Sequence, residues 1–129
     1  REPEDWLGSW YRYRQGDWLD GTSRSTRGIS FPAFVEAYLA EEPPEFARVG
    51  SQYQFLTYPK EGSAVQTMFR FDQQAEWRRW LEQRLDLKIE LQVLNASAPQ
   101  KLDLPKPLRQ TLQERLSKEY SLYEQARIQ

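Results

Sequence analysis

Apolar residues recur at helical spacing along most of this chain. Over residues 3–14, Trp6, Leu7, Trp10 and Tyr13 form one stripe, which predicts a helix. Pro3 suits its first position, and Glu4 and Asp5 suit its first turn. The pattern then stops. Residues 15–29 are rich in Gly, Ser, Thr and Asp and read as an irregular loop. Ser30 is placed to cap a second helix whose Phe31, Phe34, Val35, Tyr38 and Leu39 share a face. Glu41-Glu42-Pro43-Pro44 ends that helix, because proline cannot continue the hydrogen-bond ladder.

Beyond Gly50 the pattern changes period. Residues 51–57 predict a short helix and 60–63 a turn, while 65–71 (Val65 to Phe71) read as a strand rich in apolar and aromatic side chains. Asp72 is placed to cap an amphipathic helix over 73–86, with Trp77, Trp80, Leu81, Arg84 and Leu85 on one side. A second short strand is expected at 90–94 and a loop at 95–100. A long closing helix follows from Pro105 to about residue 126, its Leu108, Leu112, Leu116, Tyr120 and Tyr123 rising on one face in steps of four and three. The sum is a helix-heavy α/β pattern with few strands.

Composition narrows the chemistry. Hydrophobic residues make up 39% and charged residues 29% of the 129, the balance of a globular chain rather than a disordered one. No apolar run approaches membrane-spanning length, and a cytoplasmic location is the expectation. The formal net charge of −1 argues against a broad electrostatic footprint for nucleic acid. The chain has neither cysteine nor histidine. Disulfides, thiol nucleophiles, the usual zinc constellations and every histidine-dependent triad are therefore excluded within it.

Against that background, the first nine residues are the most informative. Arg1-Glu2-Pro3 leads into a helix that carries Ser9 about two turns on. A guanidinium fork matches phosphate oxygens and a hydroxyl adds a neutral donor, so the pair is a candidate cradle for one phosphate. The competing readings are ordinary ones: Arg1 pairing with Glu4 or Asp5, and Ser9 bonding back into its own helix.

Arg1-Glu2-Pro3 followed by Ser9 and then Trp10-Tyr11-Arg12 resembles the 3′-phosphate-binding motif of the sulfotransferase family. Later segments resemble the family in the same order: Gln52-Tyr53-Gln54-Phe55-Leu56, Phe69-Arg70-Phe71-Asp72, Leu94-Asn95-Ala96-Ser97, and the closing helix with Tyr120-Ser121-Leu122-Tyr123. The resemblance implies that Arg1 and Ser9 hold the 3′-phosphate of 3′-phosphoadenosine 5′-phosphosulfate, the co-substrate, with no metal. It implies transfer of a sulfuryl group to a hydroxyl or amine of a small-molecule or carbohydrate acceptor. It also implies an α/β fold, the C-terminal portion of a P-loop-like, three-layer domain, with residues 1–129 forming part of that domain.

The family's glycine-containing 5′-phosphosulfate loop and its general base have no counterpart among these residues. Both are expected in an N-terminal part that precedes Arg1, which leaves the catalytic residues unassigned and the isolated chain inactive. Such a piece is expected to expose apolar surface and to self-associate. The alternative is a non-catalytic helical interaction domain that docks through its amphipathic helices.

Other candidates carry less. Trp77-Arg78-Arg79-Trp80 superficially suggests a single-strand nucleic-acid platform, but helical spacing sends both tryptophans inward and both arginines outward. Arg24 and Arg27 could meet an anionic acceptor or simply sit in a solvated loop. Glu36, Asp72 and Glu76 show no spacing that selects a catalytic or metal-binding pair. Lys101 could approach the nucleotide.

Overall fold

The computed structural model of the chain describes residues 1–57, 67–92 and 100–126. Six α-helices follow one another: α1 (Pro3–Tyr13), α2 (Phe31–Tyr38), α3 (Gln52–Thr57), α4 (Gln74–Leu85), α5 (Lys106–Arg115) and α6 (Ser117–Gln125). Single 3-10 turns stand at Asp17–Leu19 and Glu45–Ala47.

Local chemistry explains where the first two helices begin. At α1 the Glu2 carboxylate accepts the N–H groups of Glu4 and Asp5, at 3.0 and 3.2 Å, and Pro3 needs no donor partner. At α2 the Ser30 hydroxyl accepts the N–H of Ala33 at 3.2 Å, as expected of a capping serine. The inward faces of these helices then meet. Leu7 and Tyr11 of α1 pack with Phe31, Phe34 and Val35 of α2, and Ala47, Leu104 and Leu112 close the cluster. Tyr11 lies 5.4 Å from the Phe31 ring and 5.6 Å from the Phe34 ring, both tilted contacts of the favoured kind.

The loop between α1 and α2 is tied down by polar groups. Thr26 is fully buried and its hydroxyl donates to the Tyr11 carbonyl at 2.7 Å, while Tyr11 donates its own hydroxyl to Ile29. Arg27 pairs with Asp17 and Asp20 and donates to the Gln15 carbonyl at 2.7 Å. Arg14 donates to the Glu45 and Phe46 carbonyls at 2.7 and 3.2 Å, which holds the second 3-10 turn against α1.

The α/β expectation is overturned. Helix accounts for 56% of the chain as described, and no strand or sheet is present among those residues. In the segment expected as the first strand, Phe69 makes a single isolated bridge; Val65 and Gln66 lie outside the described residues. Residues 90–92 of the second are likewise not a strand, and 93–94 lie outside. Apolar content made these segments strand-like, but a strand needs a neighbour to complete its ladder. Side chains of the first segment are engaged by helices instead. Phe69 packs on Trp80 of α4 at 5.3 Å, and Arg70 binds carbonyls of α6.

Two boundaries also move. Asp72 does not cap α4; Gln73 precedes the helix without a side-chain cap, and Asp72 accepts instead from the Tyr123 hydroxyl at 3.4 Å. The long closing helix is kinked at Leu116 (φ −103°, ψ 31°) into α5 and α6. The ladder carries on around the kink, from Leu116 N–H to Leu112 and from Tyr120 N–H to Leu116. The bend lets α5 pack on α2 while α6 packs on α3 and α1. The turn expected at 60–63 and the 95–97 segment lie outside the described residues.

Helix α4 stands apart from this core, with no fully buried residue. Trp77 and Trp80 are half-buried on one side and Arg78 and Arg79 exposed on the other, which is the amphipathic split that helical spacing predicts.

Two consequences are measurable. Leu7 is fully buried at the centre of the cluster, so Leu7→Ala should cost about 2–5 kcal/mol in a denaturant titration. Leu85→Ala, at a side chain 54% exposed, should stay within about 0.5 kcal/mol of wild type. The second concerns Arg109, which donates to Glu4 of α1 at 3.0 Å and to Asp103 at 2.6 Å. The Arg109 hydrogen bond, with help from the Leu104 N–H, holds the Asp103 carboxyl below its usual 3.8. A lowered folded-state value stabilises above the unfolded pKa, and that contribution is lost as pH falls through the folded value. The Tm gap between wild type and Asp103→Asn should therefore be largest at neutral pH and close as the pH is taken below 3.8.

Candidate functional site

Helix α1 delivers Arg1 to a junction of three other segments. Its main chain is held by the Gln52 side chain of α3. The Arg1 α-ammonium donates to Gln52 Oε1 at 2.9 Å, and Gln52 Nε2 donates to the Arg1 carbonyl at 3.0 Å. One side-chain amide thus engages both the α-ammonium and the carbonyl of Arg1.

The Arg1 guanidinium lies over the Phe71 ring, 3.8 Å from its centroid. It makes no ion pair or hydrogen bond among the described residues. The simplest competing reading, a pair with Glu4 or Asp5, is not what the structure holds. Glu4 is taken by Arg109, and Asp5 is exposed at the helix surface.

Phe71 is itself placed by its neighbour. Arg70 Nε donates to the Tyr123 carbonyl at 3.2 Å and its terminal nitrogen to the Glu124 carbonyl at 3.4 Å, both in the last turn of α6. The same guanidinium stacks 4.4 Å from the Tyr123 ring centroid. The 69–72 segment is therefore docked on α6 by Arg70, while Phe71 turns towards Arg1.

Beneath this junction lies Glu119 of α6, a carboxylate only 6% exposed. It accepts the Ser51 hydroxyl through one oxygen, while the other has no hydrogen-bond partner among the described residues. Glu119 lines a small void of about 50 Å³ together with Arg1, Gln52 and Arg70. Nearby, burial pushes the Tyr38 phenol well above its usual range, and the Glu119 charge adds to the shift.

Ser9 sits two turns further along α1, half-buried, and its hydroxyl makes no hydrogen bond among the described residues. It does not bond back into its helix. No hydrogen bond joins it to Arg1, so the structure presents the two predicted site residues as separate donors, Arg1 just before α1 and Ser9 within it. A cleft of about 740 Å³ opens between the Trp6 and Trp10 side of α1 and the Val49, Gln52, Phe55 and Leu56 side of the next segment.

Gln52 and Phe71 are the functional candidates that residue-by-residue reading missed. Both stood in quoted segments, but nothing local distinguishes a glutamine that pairs with a distant backbone from one that faces water. The remaining candidates are not assembled. Arg27 is neutralised by Asp17 and Asp20, Arg24 and Lys101 are exposed, and Glu36 and Glu76 lie apart on α2 and α4. Among the described residues no cluster of carboxylates could hold a metal ion, and no helix is long and apolar enough to cross a membrane. No protein-family model, curated protein or solved structure matches the chain.

Proposed function

We propose that this chain supplies the 3′-phosphate-holding part of a sulfotransferase that uses 3′-phosphoadenosine 5′-phosphosulfate. One observation carries the reading: three of the segments that resemble the family meet at Arg1. Gln52 pairs with its backbone, Phe71 stacks on its guanidinium, and α6 anchors the 69–72 segment through Arg70. The residues fit a phosphate chemically, because a guanidinium in no ion pair and a hydroxyl in no hydrogen bond among the described residues are both donors in want of an acceptor. The proposal does not rest on a sheet, and the P-loop-like architecture forms no part of it.

In this reading Arg1 and Ser9 bind and orient the nucleotide rather than move protons. The co-substrate supplies a sulfuryl group on a phosphate leaving group; the acceptor hydroxyl or amine attacks the sulfur, its proton passing to a base. Holding the 3′-phosphate fixes the far end of the donor, which aligns the reacting end for in-line attack. The leaving adenosine 3′,5′-bisphosphate keeps the same 3′-phosphate, so Arg1 contributes to donor and product binding alike. No described residue is assigned as the base. A small-molecule or carbohydrate acceptor and a cytoplasmic setting belong to the same reading.

Titration with adenosine 3′,5′-bisphosphate, followed by the fluorescence of Trp6 and Trp10, tests it. Saturable binding is expected, and Arg1→Ala should weaken it by about tenfold to a hundredfold, the worth of a charge-assisted hydrogen bond. Ser9→Ala should weaken it about threefold to tenfold. Affinity unchanged in Arg1→Ala overturns the assignment.

A second reading, association through helices, is favoured by apolar side chains left in solvent at and beyond the end of α4. Leu85, Leu87 and Leu91 are 54%, 52% and 43% exposed. Light scattering across a concentration series should show self-association, and a compact monomer that binds no apolar dye would refute it.

A further inference from the structure

We infer that Gln52 and Phe71 are positioning residues that set the Arg1 fork for an anion before the anion arrives. The inference deepens the phosphate-binding reading and rests on it.

The geometry separates two tasks. Gln52 fixes the main chain of Arg1 through two bonds of 2.9 and 3.0 Å, so the root of the side chain cannot swing. The orientation of the amide is determined by the pairing itself: a nitrogen must face its oxygen and a carbonyl must face its NH₂. Phe71 fixes the other end. Its ring centroid lies 3.8 Å from the guanidinium carbon, which sits over the face of the ring. The five N–H donors of a guanidinium lie in its plane, and a ring, having no acceptor oxygen, takes none of them as a carboxylate fork would.

The choice of an aromatic ring has a consequence that a carboxylate would not. A carboxylate would also hold Arg1, but it would occupy the fork and cancel the charge an incoming phosphate needs. A phenyl ring restrains the cation while carrying no formal charge to displace. The N-terminal N–H groups of α1 are meanwhile occupied by Glu2, whose carboxylate takes those of Glu4 and Asp5. Anion recognition at this end of α1 therefore passes to the Arg1 side chain, and its pre-set orientation lowers the entropy lost on binding.

The test is a set of titrations of the whole chain with adenosine 3′,5′-bisphosphate, each variant checked by thermal melting. Gln52→Ala and Phe71→Leu should each weaken binding by about threefold to tenfold, and Phe71→Tyr, which keeps the ring, should stay within about twofold. The decisive readout is the double-mutant cycle with Arg1→Ala. Residues that act through the fork lose their effect once it is gone, so Gln52→Ala and Phe71→Leu should cost no further affinity in that background. Phe71 is 46% exposed, so Phe71→Leu keeps the test valid even where Gln52→Ala melts early. Binding that needs Arg1 but is unchanged in Gln52→Ala and Phe71→Leu overturns this inference alone. Additive losses in the Arg1→Ala background also overturn it. A wild-type chain that fails to bind the bisphosphate overturns the phosphate reading beneath it.

Discussion

Burial of one face of α1 is the constraint around which the molecule is assembled. Leu7 and Tyr11 are 0% and 5% exposed, and each neighbouring element meets them or their helix. Helix α2 supplies Phe31, Phe34 and Val35, and the loop between the two helices is fastened to the Tyr11 carbonyl through Thr26. Helix α5 reaches the first turn through Arg109 and Glu4, while the 45–47 turn hangs on Arg14. The ends of α1 therefore sit where its middle places them. Arg1 is carried to the junction of α3, α6 and the 69–72 segment because Leu7 cannot leave the core without opening a cavity worth several kcal/mol.

This arrangement explains which parts of the structure were legible in the sequence. Helices α1 and α2 combine a clear apolar period with local start signals, Pro3 and Ser30, and the structure keeps both signals in their expected roles. Helix α4 was legible in its period but not in its cap. Asp72 has the chemistry of a cap, yet its carboxylate faces Tyr123, a partner 51 residues away that no local pattern reveals. The kink at Leu116 is of the same kind. An unbroken period of Leu108, Leu112, Leu116 and Tyr120 reads as a straight helix, and only the competing demands of α2 and α3 bend it.

The strands failed for a different reason. Segments 65–71 and 90–94 carry enough apolar residues to suggest a sheet, but a strand is a pairwise object, and periodicity along one segment is silent about its neighbour. What the 69–72 segment does instead is chemically specific. Phe69 takes Trp80, Arg70 takes the carbonyls of α6, and Phe71 takes Arg1. Alternation sends consecutive side chains to different partners, which is the part of the strand pattern that survives with no sheet among the described residues.

The candidate site was half legible. Arg1 and Ser9 could be named from residue type and spacing, whereas their surroundings decide what they are able to do. Had Arg1 met Glu4, the pair would have been an ordinary surface bridge of little energetic weight. Arg109 prevents this by engaging Glu4 at 3.0 Å, which leaves Arg1 to an aromatic ring and a backbone clamp. The availability of the fork is thus a product of how α5 is packed, one helix away from the anion it would bind.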